Sequence, residues 1–480
     1  MSNSPFIHLV RSPIHCYIYD VNTNRIVLVS EETYCFLQEA KRKKSFMLEE
    51  AHKDVQTEID KLVQQGFLSS MHPKKMKHPE SDFLDYHLSH NIEHMILQVT
   101  QQCNFRCSYC TYGSKDFESQ RSHSQKQMSY SLAKKAIDFF AAHSRDQMSI
   151  LIGFYGGEPL LEFDLIKQIV LYAEAVFEGK ELNFGMTTNG SLINESIVKF
   201  LSKHKFDITI SLDGPPKVHN RSRKFAANGK GTFSSIVDNI RFIKEFYPEF
   251  HKRLRFNIVI DPRFSVENLY KLFDTDEIFK DTAVRSTLID DFFSTEKVVA
   301  TSEYLATNAH EEFLAYLALF GKYPIDNVSS LVLHRIRDFY RQEKDNYIPR
   351  RSLSDETSHG GPCIPGQRRL FVNVDGDFFQ CERVSETSSA MKIGDINSGF
   401  YMDKVNALLN ICQLTEKQCK NCWAITKCAT CARVCDNDGE LSGALKLSEC
   451  KKARAIKEEE MEYYIMIQEM NEIYGGTELV

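Results

Sequence analysis

The sequence predicts an α/β protein whose central part is a partial (β/α)6 barrel, flanked by a small N-terminal module and a cysteine-rich C-terminal domain. Three observations support this prediction. Apolar strand-like runs alternate with amphipathic segments between residues 95 and 290, as in repeated βα units. The chain has 480 residues, more than a single hydrophobic core usually supports. Of its 14 cysteines, nine fall between Cys363 and Cys450.

Composition and charge limit the classes of function. With 42% hydrophobic and 26% charged residues, the chain has the composition of a soluble globular protein. A net charge of −6 argues against nucleic acid as a partner, because proteins that bind phosphate backbones are normally basic. The sequence has no run of about 18 apolar residues, and its first residues lack the apolar core of a signal peptide. We therefore expect a cytoplasmic protein with no membrane partner.

The spacing of the cysteines indicates ligands or catalytic groups. Disulfides are rare in a reducing compartment, so clustered cysteines there are typical of metal sites or catalysis. Cys103, Cys107 and Cys110 stand close together, and most of the others lie near the C-terminus. Cys16 and Cys35 stand apart, and we interpret both as small buried apolar side chains.

Residues 1–75 form the predicted N-terminal module. The runs Cys16–Asp20 and Ile26–Val29 flank a turn-prone segment and predict a β-hairpin, and helical segments follow from Ser30 and over Val55–Gln65. This arrangement resembles the winged-helix-like recognition element that precedes many maturases of ribosomally made peptides. The resemblance implies that the leader of a ribosomal precursor peptide binds here as an added strand. A generic winged helix is the alternative.

A linker over residues 76–92 leads into the predicted barrel, residues 93–330. Its six predicted strands are Met95–Val99, Ser149–Tyr155, Asn183–Thr187, Asp207–Leu212, Arg255–Ile260 and Val284–Ile289. Helices are predicted between them, for example over Leu132–His143, Leu165–Phe177 and Phe233–Phe246. Ligands of such a barrel lie at the carboxyl ends of its strands. A helical connector (331–360), the cysteine-rich domain (361–455) and a C-terminal helix (456–480) complete the predicted organisation.

The first predicted strand is followed directly by Cys103-x3-Cys107-x2-Cys110. Zinc sites favour four ligands, often in paired C-x2-C knuckles, so three cysteines with this spacing fit zinc poorly. A [4Fe–4S] cluster usually takes four thiolates, and three would leave one iron open. This spacing on a strand-end loop resembles the radical SAM superfamily. The resemblance implies a [4Fe–4S] cluster whose open iron chelates S-adenosylmethionine (SAM), and an external electron donor of the flavodoxin or ferredoxin type.

A second motif supports the resemblance at the end of the next strand. Gly156-Gly157-Glu158-Pro159 combines glycines, which let a ligand approach the backbone closely, with a carboxylate that can accept from an ammonium group. In the superfamily the matching motif holds the amino group of SAM, whereas a plain turn is the alternative. The resemblance implies further cofactor contacts from Tyr109, Thr188, Asn189, Ser211, Asp213, Arg223 and Asn257. Arg221 is an alternative to Arg223.

The C-terminal cysteines follow a predicted β-hairpin around Asp375-Gly376. Their pattern resembles the SPASM domain, which carries auxiliary [4Fe–4S] clusters in peptide and protein maturases. The resemblance implies an outer cluster on Cys419, Cys422, Cys428 and Cys450, and an inner cluster on Cys363, Cys381 and Cys435. Cys431 interrupts the usual spacing, so Cys431, Cys412 or an open iron is left as the remaining position of the inner cluster. A zinc ribbon is the alternative for the region.

Glu382 follows Cys381 directly and is predicted to be a catalytic proton acceptor, with an exposed surface charge as the alternative. Together the motifs resemble the radical SAM/SPASM peptide maturases. The resemblance implies crosslinking of a cysteine-rich precursor peptide by thioethers at a β or γ carbon (ranthipeptide type). The alternatives are an α-carbon (sactionine) thioether, a carbon–carbon crosslink, or formylglycine-type sulfatase maturation. A non-catalytic zinc- or cluster-binding scaffold is a hypothesis of another class, and it has no need of a SAM motif at residues 156–159.

Overall fold

The computed structural model describes residues 4–43, 45–110, 112, 123–279, 282–294 and 296–475. The fold is α/β, with a large, mostly parallel central sheet. All six predicted barrel strands are present, with ends within two residues of the predicted ones. In the described part of the chain, no helix is both long and apolar enough to span a membrane.

The N-terminal module is a three-stranded antiparallel sheet with two helices. Its elements are β1 (Ile7–Arg11), β2 (Cys16–Asp20), β3 (Arg25–Val29), α1 (Glu31–Lys43) and α2 (Lys53–Gln64). The predicted β2–β3 hairpin is confirmed, with Ile18 opposite Val27, whereas β1 was not predicted and pairs with the other edge of β2. Cys16 is buried as predicted. The prediction for Cys35 is wrong, because this residue lies on the exposed face of α1, opposite the buried Leu37.

The segment predicted as a linker contains regular structure. It holds β4 (Lys75–Met76) and α3 (Leu84–His90). Leu84 and Leu88 of α3 are buried in the same apolar core as the barrel strands. This segment is therefore part of the folded body, and only its surface residues give it the polar composition that favoured a linker.

The barrel region alternates strands and helices. In chain order they are β5 (His94–Thr100), α4 (Tyr130–His143), β6 (Ser149–Gly156), α5 (Phe163–Val176), β7 (Glu181–Thr188), α6 (Glu195–Lys203), β8 (Asp207–Ser211), α7 (Pro216–Ser222), α8 (Phe233–Phe246), α9 (Pro248–His251), β9 (Leu254–Ile260), α10 (Glu267–Thr275) and β10 (Ala283–Leu288). The strands β5 to β10 pair in parallel with their chain neighbours. Alternate side chains such as Ile208 and Phe256 are buried, while Thr209 and Asn257 line an internal cavity.

The C-terminal part extends the same sheet. Its elements are α11 (Ser302–Leu319), α12 (Ser330–Asn346), β11 (Glu356–Thr357), β12 (Leu370–Val372), β13 (Asp377–Phe379), β14 (Lys392–Asp395), β15 (Gly399–Phe400), α13 (Met402–Leu409), α14 (Glu416–Cys419), β16 (Asp436–Asn437), β17 (Glu440–Leu441), α15 (Gly443–Ser448) and α16 (Cys450–Tyr474). The predicted hairpin is confirmed as β12–β13. β12 also pairs in parallel with β5, with Phe371 opposite Ile96. The sheet order is therefore β10-β9-β8-β7-β6-β5-β12-β13-β14-β15.

One face of the N-terminal sheet packs against the C-terminal region. The His8 ring of β1 stacks on Trp423, with 3.7 Å between the ring centroids. The Tyr17 hydroxyl of β2 donates to Glu469 of α16 at 2.8 Å, and Arg350 Nε donates to the Asn22 carbonyl at 3.0 Å. The module is thus anchored beside the loop that carries the C-terminal cysteines.

Candidate active site

The loop after β5 places three cysteines at the carboxyl end of the barrel strands. Phe105, 1% exposed, anchors the loop in the core. The Arg106 amide donates to the Lys224 carbonyl at 2.9 Å, which ties the loop to the segment after α7. Burial raises the pKa of the Cys103 and Cys107 thiols to about 12. Because both thiols are neutral at ordinary pH, their conversion to thiolates requires a compensating positive group.

The end of β6 lies against the backbone of this cysteine loop. A Cβ on Gly156 would lie 2.2 Å from the Thr100 carbonyl oxygen, and one on Gly157 would lie 2.1 Å from the Gln102 carbonyl oxygen. The close approach allows two hydrogen bonds, from the Gly157 amide to Thr100 at 3.0 Å and from the Glu158 amide to Gln102 at 2.8 Å. The glycines therefore fix the cysteine loop to the second strand. This geometry requires glycine at both positions, whereas a plain turn would not require it.

Glu158 is a buried carboxylate, 1% exposed, at the same strand edge. It accepts hydrogen bonds from Thr188 Oγ1 at 2.6 Å, the Asn189 amide at 2.7 Å and the Leu160 amide at 3.1 Å. Burial raises its pKa to about 7 despite these donors. Since a carboxylate has about four acceptor sites, one is left for a further donor. Pro159 begins the single helical turn that follows.

Asp213, Arg223 and Tyr109 form one buried network beside the cysteines. Arg223 Nε pairs with Asp213 Oδ2 at 2.9 Å, and the Tyr109 hydroxyl donates to the same oxygen at 2.5 Å. Arg223 Nη1 lies 4.0 Å from Cys107 Sγ. Arg221 instead stacks on the exposed ring of Phe264. Of the two arginines, Arg223 is therefore the one placed to act on the cysteines.

These residues fit a [4Fe–4S] cluster with bound SAM. The buried Arg223 guanidinium and the Asn189 amide nitrogen, 4.0 Å from Cys103 Sγ, can stabilise thiolates. Glu158 has no ion-pair partner among the described residues, and its free acceptor site suits an ammonium group. When bound, SAM and the cluster would supply an organic radical. Thr188 and Asn189, predicted as cofactor contacts, lie at this edge but are engaged with Glu158.

A cavity of about 1240 Å³ is lined by residues of strands β6 to β10, of helices α10 and α12, and of the segment that carries Glu382. We call the strand ends that carry Gly156, Glu158 and Thr188, which we propose bind SAM, the SAM edge. Tyr155 and Thr187, directly before two of these residues, line the cavity together with Asn257. Ser211 pairs with Asn257 across β8 and β9. Glu382 also lines the cavity and accepts from Arg369 Nη1 at 2.9 and 3.1 Å. Glu382 thus faces the cavity in an ion pair.

Four C-terminal cysteines surround a second cavity of about 260 Å³. They are Cys419, Cys422, Cys428 and Cys450, the set expected for the outer cluster. Among the described residues no three His, Cys, Asp or Glu side chains converge tightly enough to hold a single metal ion. Four cysteines are the ligand set of a [4Fe–4S] cluster and also of a structural zinc ion, so the number of thiols alone agrees with both. Lys446 and His359 also line the cavity, and sequence analysis missed both because neither belongs to a spacing motif.

The cysteines expected at the inner cluster differ in their surroundings. Burial raises the pKa of Cys381 to about 11 and of Cys435 to about 12, and Cys431 adds to the effect on both. Cys431 therefore lies near these two cysteines. Cys363 is exposed, and Cys412 is fully buried in the apolar cluster that joins the N-terminal module to the C-terminal region. Of the two candidates for the additional ligand, the geometry favours Cys431.

Comparison with known proteins agrees with the radical SAM resemblance of the barrel region. Residues 97–275 match the family model of the Radical SAM superfamily. An uncharacterized protein of Methanocaldococcus jannaschii is 28% identical over 306 residues, or 64% of this chain and 90% of that protein. The cysteine-type anaerobic sulfatase-maturating enzyme of Clostridium perfringens is 30% identical over 162 residues, or 33% of this chain and 42% of the enzyme. The sequence match thus spans less than half of that maturase.

A solved structure extends the likeness to the C-terminal region. The structure of native anSMEcpe with bound AdoMet aligns with a TM-score of 0.56 and 19% identity, over 78% of this chain and 99% of that chain. At this identity the likeness establishes the shared fold. Residues 97–275 of this chain therefore form a radical SAM domain, homologous to that of the anaerobic sulfatase-maturating enzymes.

Proposed function

We propose that the chain is a radical SAM maturase that joins cysteine sulfurs of a ribosomally made, cysteine-rich peptide to β or γ carbons. The position of the barrel cavity carries this proposal. The cavity is lined both by Tyr155 and Thr187, at the SAM edge, and by Glu382, which follows Cys381 in the chain. Its volume of about 1240 Å³ exceeds the roughly 1,000 Å³ upper range of small-molecule pockets, which leaves room for a peptide segment.

The chemistry assigns separate tasks to the walls of this cavity. Joining a thiol to a carbon removes a hydrogen atom from the carbon, a proton from the thiol and one electron. Bound SAM and the iron–sulfur groups would supply the radical and the electron transfer, with an external flavodoxin- or ferredoxin-type donor. Glu382, which Arg369 holds by a hydrogen bond, would accept the proton. Asn257 lines the same cavity, and Ser211 pairs with Asn257 on the neighbouring strand.

We also propose two auxiliary [4Fe–4S] clusters. The outer cluster is held by Cys419, Cys422, Cys428 and Cys450, which share one cavity. The inner cluster would be held by Cys381, Cys435 and Cys431, with the exposed Cys363 as the remaining ligand. Iron and sulfide analysis of a Cys431→Ala variant, against Cys412→Ala as the matched control, tests this choice: only the former is expected to lose a cluster.

The open edge of the N-terminal sheet supports binding of the peptide through its leader. β3 pairs only with β2 among the described strands, and Leu28 on this strand is 55% exposed. An extended leader can add to such an edge by backbone hydrogen bonds. β1 at the other edge contacts α16, which leaves β3 as the edge available to the leader.

Anaerobic coexpression with a short cysteine-rich precursor peptide tests the function, and a reading frame for such a peptide beside this gene would identify the one to use. Mass spectrometry is expected to show loss of two hydrogens per crosslink and cysteines that no longer react with an alkylating reagent. A variant with Cys103, Cys107 and Cys110 replaced by Ala is the control and should leave the peptide unchanged. A peptide left unmodified by enzyme that produces 5′-deoxyadenosine from SAM would contradict the proposed substrate.

Sulfatase maturation is a second candidate, favoured by the 30% identity to the Clostridium perfringens maturase. Formylglycine formation exchanges the cysteine sulfur for oxygen, so its mass change differs from that of a thioether. The same mass spectrometry on a sulfatase-derived cysteine peptide distinguishes the two products. A carbon–carbon crosslink would also remove two hydrogens but would leave every cysteine open to alkylation, and fragmentation would separate an α-carbon from a β- or γ-carbon thioether.

A further inference from the structure

Lys446 is a buried lysine in the wall of the outer cysteine cavity. It lies on α15 and is 2% exposed. Its Nζ lies 2.8 Å from Thr415 Oγ1 and 3.2 Å from Cys419 Sγ, and the Thr415 hydroxyl lies 3.2 Å from the same sulfur. The ammonium group is therefore directed at a proposed iron ligand.

The charge of Lys446 has no carboxylate partner. Among the described residues, no Asp or Glu oxygen forms an ion pair with its Nζ. A buried lysine without a counter-ion is costly and rare. A deprotonated Cys419, whose Sγ lies 3.2 Å from Nζ, would supply the counter-charge.

The other nitrogen groups of the cavity wall do not share this role. Burial lowers the pKa of His359 to about 4, so its ring is neutral near pH 7. Its Nε2 lies 3.1 Å from the Thr430 carbonyl oxygen, which only accepts, so Nε2 is the protonated nitrogen. Arg454 donates to Cys422 but is exposed, and water screens its charge. Of these groups, Lys446 is the buried positive charge.

We propose that Lys446 donates a charge-assisted hydrogen bond to the auxiliary [4Fe–4S] cluster of Cys419, Cys422, Cys428 and Cys450 and raises its reduction potential. This inference rests on the auxiliary cluster of the proposed function. A cluster with four thiolate ligands is an anion, and reduction adds one more negative charge. A nearby buried cation stabilises the reduced form more than the oxidised form, and hydrogen bonds to sulfur act in the same direction. Lys446 is thus a residue that tunes the cluster without touching the peptide.

The test measures reduction potential in protein that lacks the SAM-binding cluster. Replacement of Cys103, Cys107 and Cys110 by Ala leaves the auxiliary clusters as the source of the electron paramagnetic resonance signal. In this background Lys446→Met is expected to keep its iron and to shift the midpoint potential of one cluster to a more negative value. Lys446→Arg restores the potential toward the starting value. Arg454→Met removes an exposed charge from the same cavity and is expected to give a smaller shift.

An unchanged midpoint potential in Lys446→Met protein with full iron content would overturn the inference. If Lys446→Met protein loses iron, protein retaining Lys446 but labelled with ¹⁵N only at the lysine Nζ gives a second readout. It should show a nitrogen hyperfine coupling to the reduced cluster, lost in Lys446→Arg protein; absence of that coupling overturns the role of Lys446. A background variant that binds no iron at the four cysteines would instead remove the proposed cluster, and the inference with it.

Discussion

Substitution of Gly157 by Ala isolates the contact between the second strand and the cysteine loop. Gly157 does not have a positive φ, so alanine introduces no backbone strain there. Its Cβ would, however, lie 2.1 Å from the Gln102 carbonyl oxygen and 2.5 Å from the carbonyl carbon. Ordinary contacts lie near about 3.5 Å, so the two backbones must separate by about 1 Å or more.

The cost follows from what this separation breaks. The hydrogen bonds from the Gly157 amide to Thr100 and from the Glu158 amide to Gln102 are lost, at about 1 kcal/mol each, and overpacking adds about 1–3 kcal/mol. The total of about 3–5 kcal/mol corresponds to local opening that is roughly 10² to 10⁴ times more frequent. We expect the displaced loop to lose iron and 5′-deoxyadenosine production.

Hydrogen exchange by mass spectrometry on peptides that cover residues 100–110 and 153–160 measures this opening directly. The matched control is Gly185→Ala on β7, which also lacks a positive φ and whose Cβ would meet Leu151 at an ordinary 3.6 Å. If Gly157→Ala exchanges at the rate of Gly185→Ala and retains iron and SAM cleavage, the steric argument for the glycine motif is refuted.

Three further predictions concern single sites. Asp213→Ala leaves the buried Arg223 guanidinium without its carboxylate, so we expect the protein to be destabilised by about 3–5 kcal/mol. The measurement is urea unfolding, whose midpoint should fall together with the iron content. An unchanged urea midpoint would contradict this prediction. Because burial raises the pKa of Glu158 to about 7, its carboxyl group is mostly protonated near about pH 6 and mostly ionised near about pH 8. The affinity for SAM, measured by equilibrium binding, should therefore be about tenfold lower at pH 6 than at pH 8. An affinity that does not change with pH would contradict the contact between Glu158 and the ammonium group. Trp423→Ala removes the ring that stacks on His8, so hydrogen exchange in β1 should accelerate while exchange in β5 stays unchanged. If the substitution changes the exchange rates of β1 and β5 equally, this anchor is refuted.

The barrel strands and the SAM edge could be predicted because local patterns specify them. Apolar runs give the strands, and Cys103-x3-Cys107-x2-Cys110 with Gly156–Pro159 marks two adjacent strand ends. The tertiary partners could not be predicted in the same way. Asp213, Arg223 and Tyr109 were each predicted as cofactor contacts, but no spacing motif indicates that they bond to one another in a single buried network, in which the carboxylate balances the guanidinium.

The docking of the N-terminal module and the outer cysteine cavity show the same limit. Nothing in the periodicity of β1 indicates that His8 meets Trp423, since the contact joins segments at opposite ends of the chain. Lys446 lies in a short helix and resembles a surface lysine in sequence, although it is 2% exposed. Such residues are recognised by what surrounds them after folding, and spacing carries no information about that.

The parallel pairing of β12 with β5 affects how the protein is made. β5 is the first strand of the barrel to leave the ribosome, but its partner follows roughly 275 residues later, and contacts so distant along the chain form slowly. Until then the outer edge of β5 is open to pairing with other nascent chains. We therefore expect that truncation before residue 370 yields insoluble protein, even though residues 97–275 match the radical SAM family model. Supplying the missing part on a second chain should restore solubility only when both chains are synthesised together.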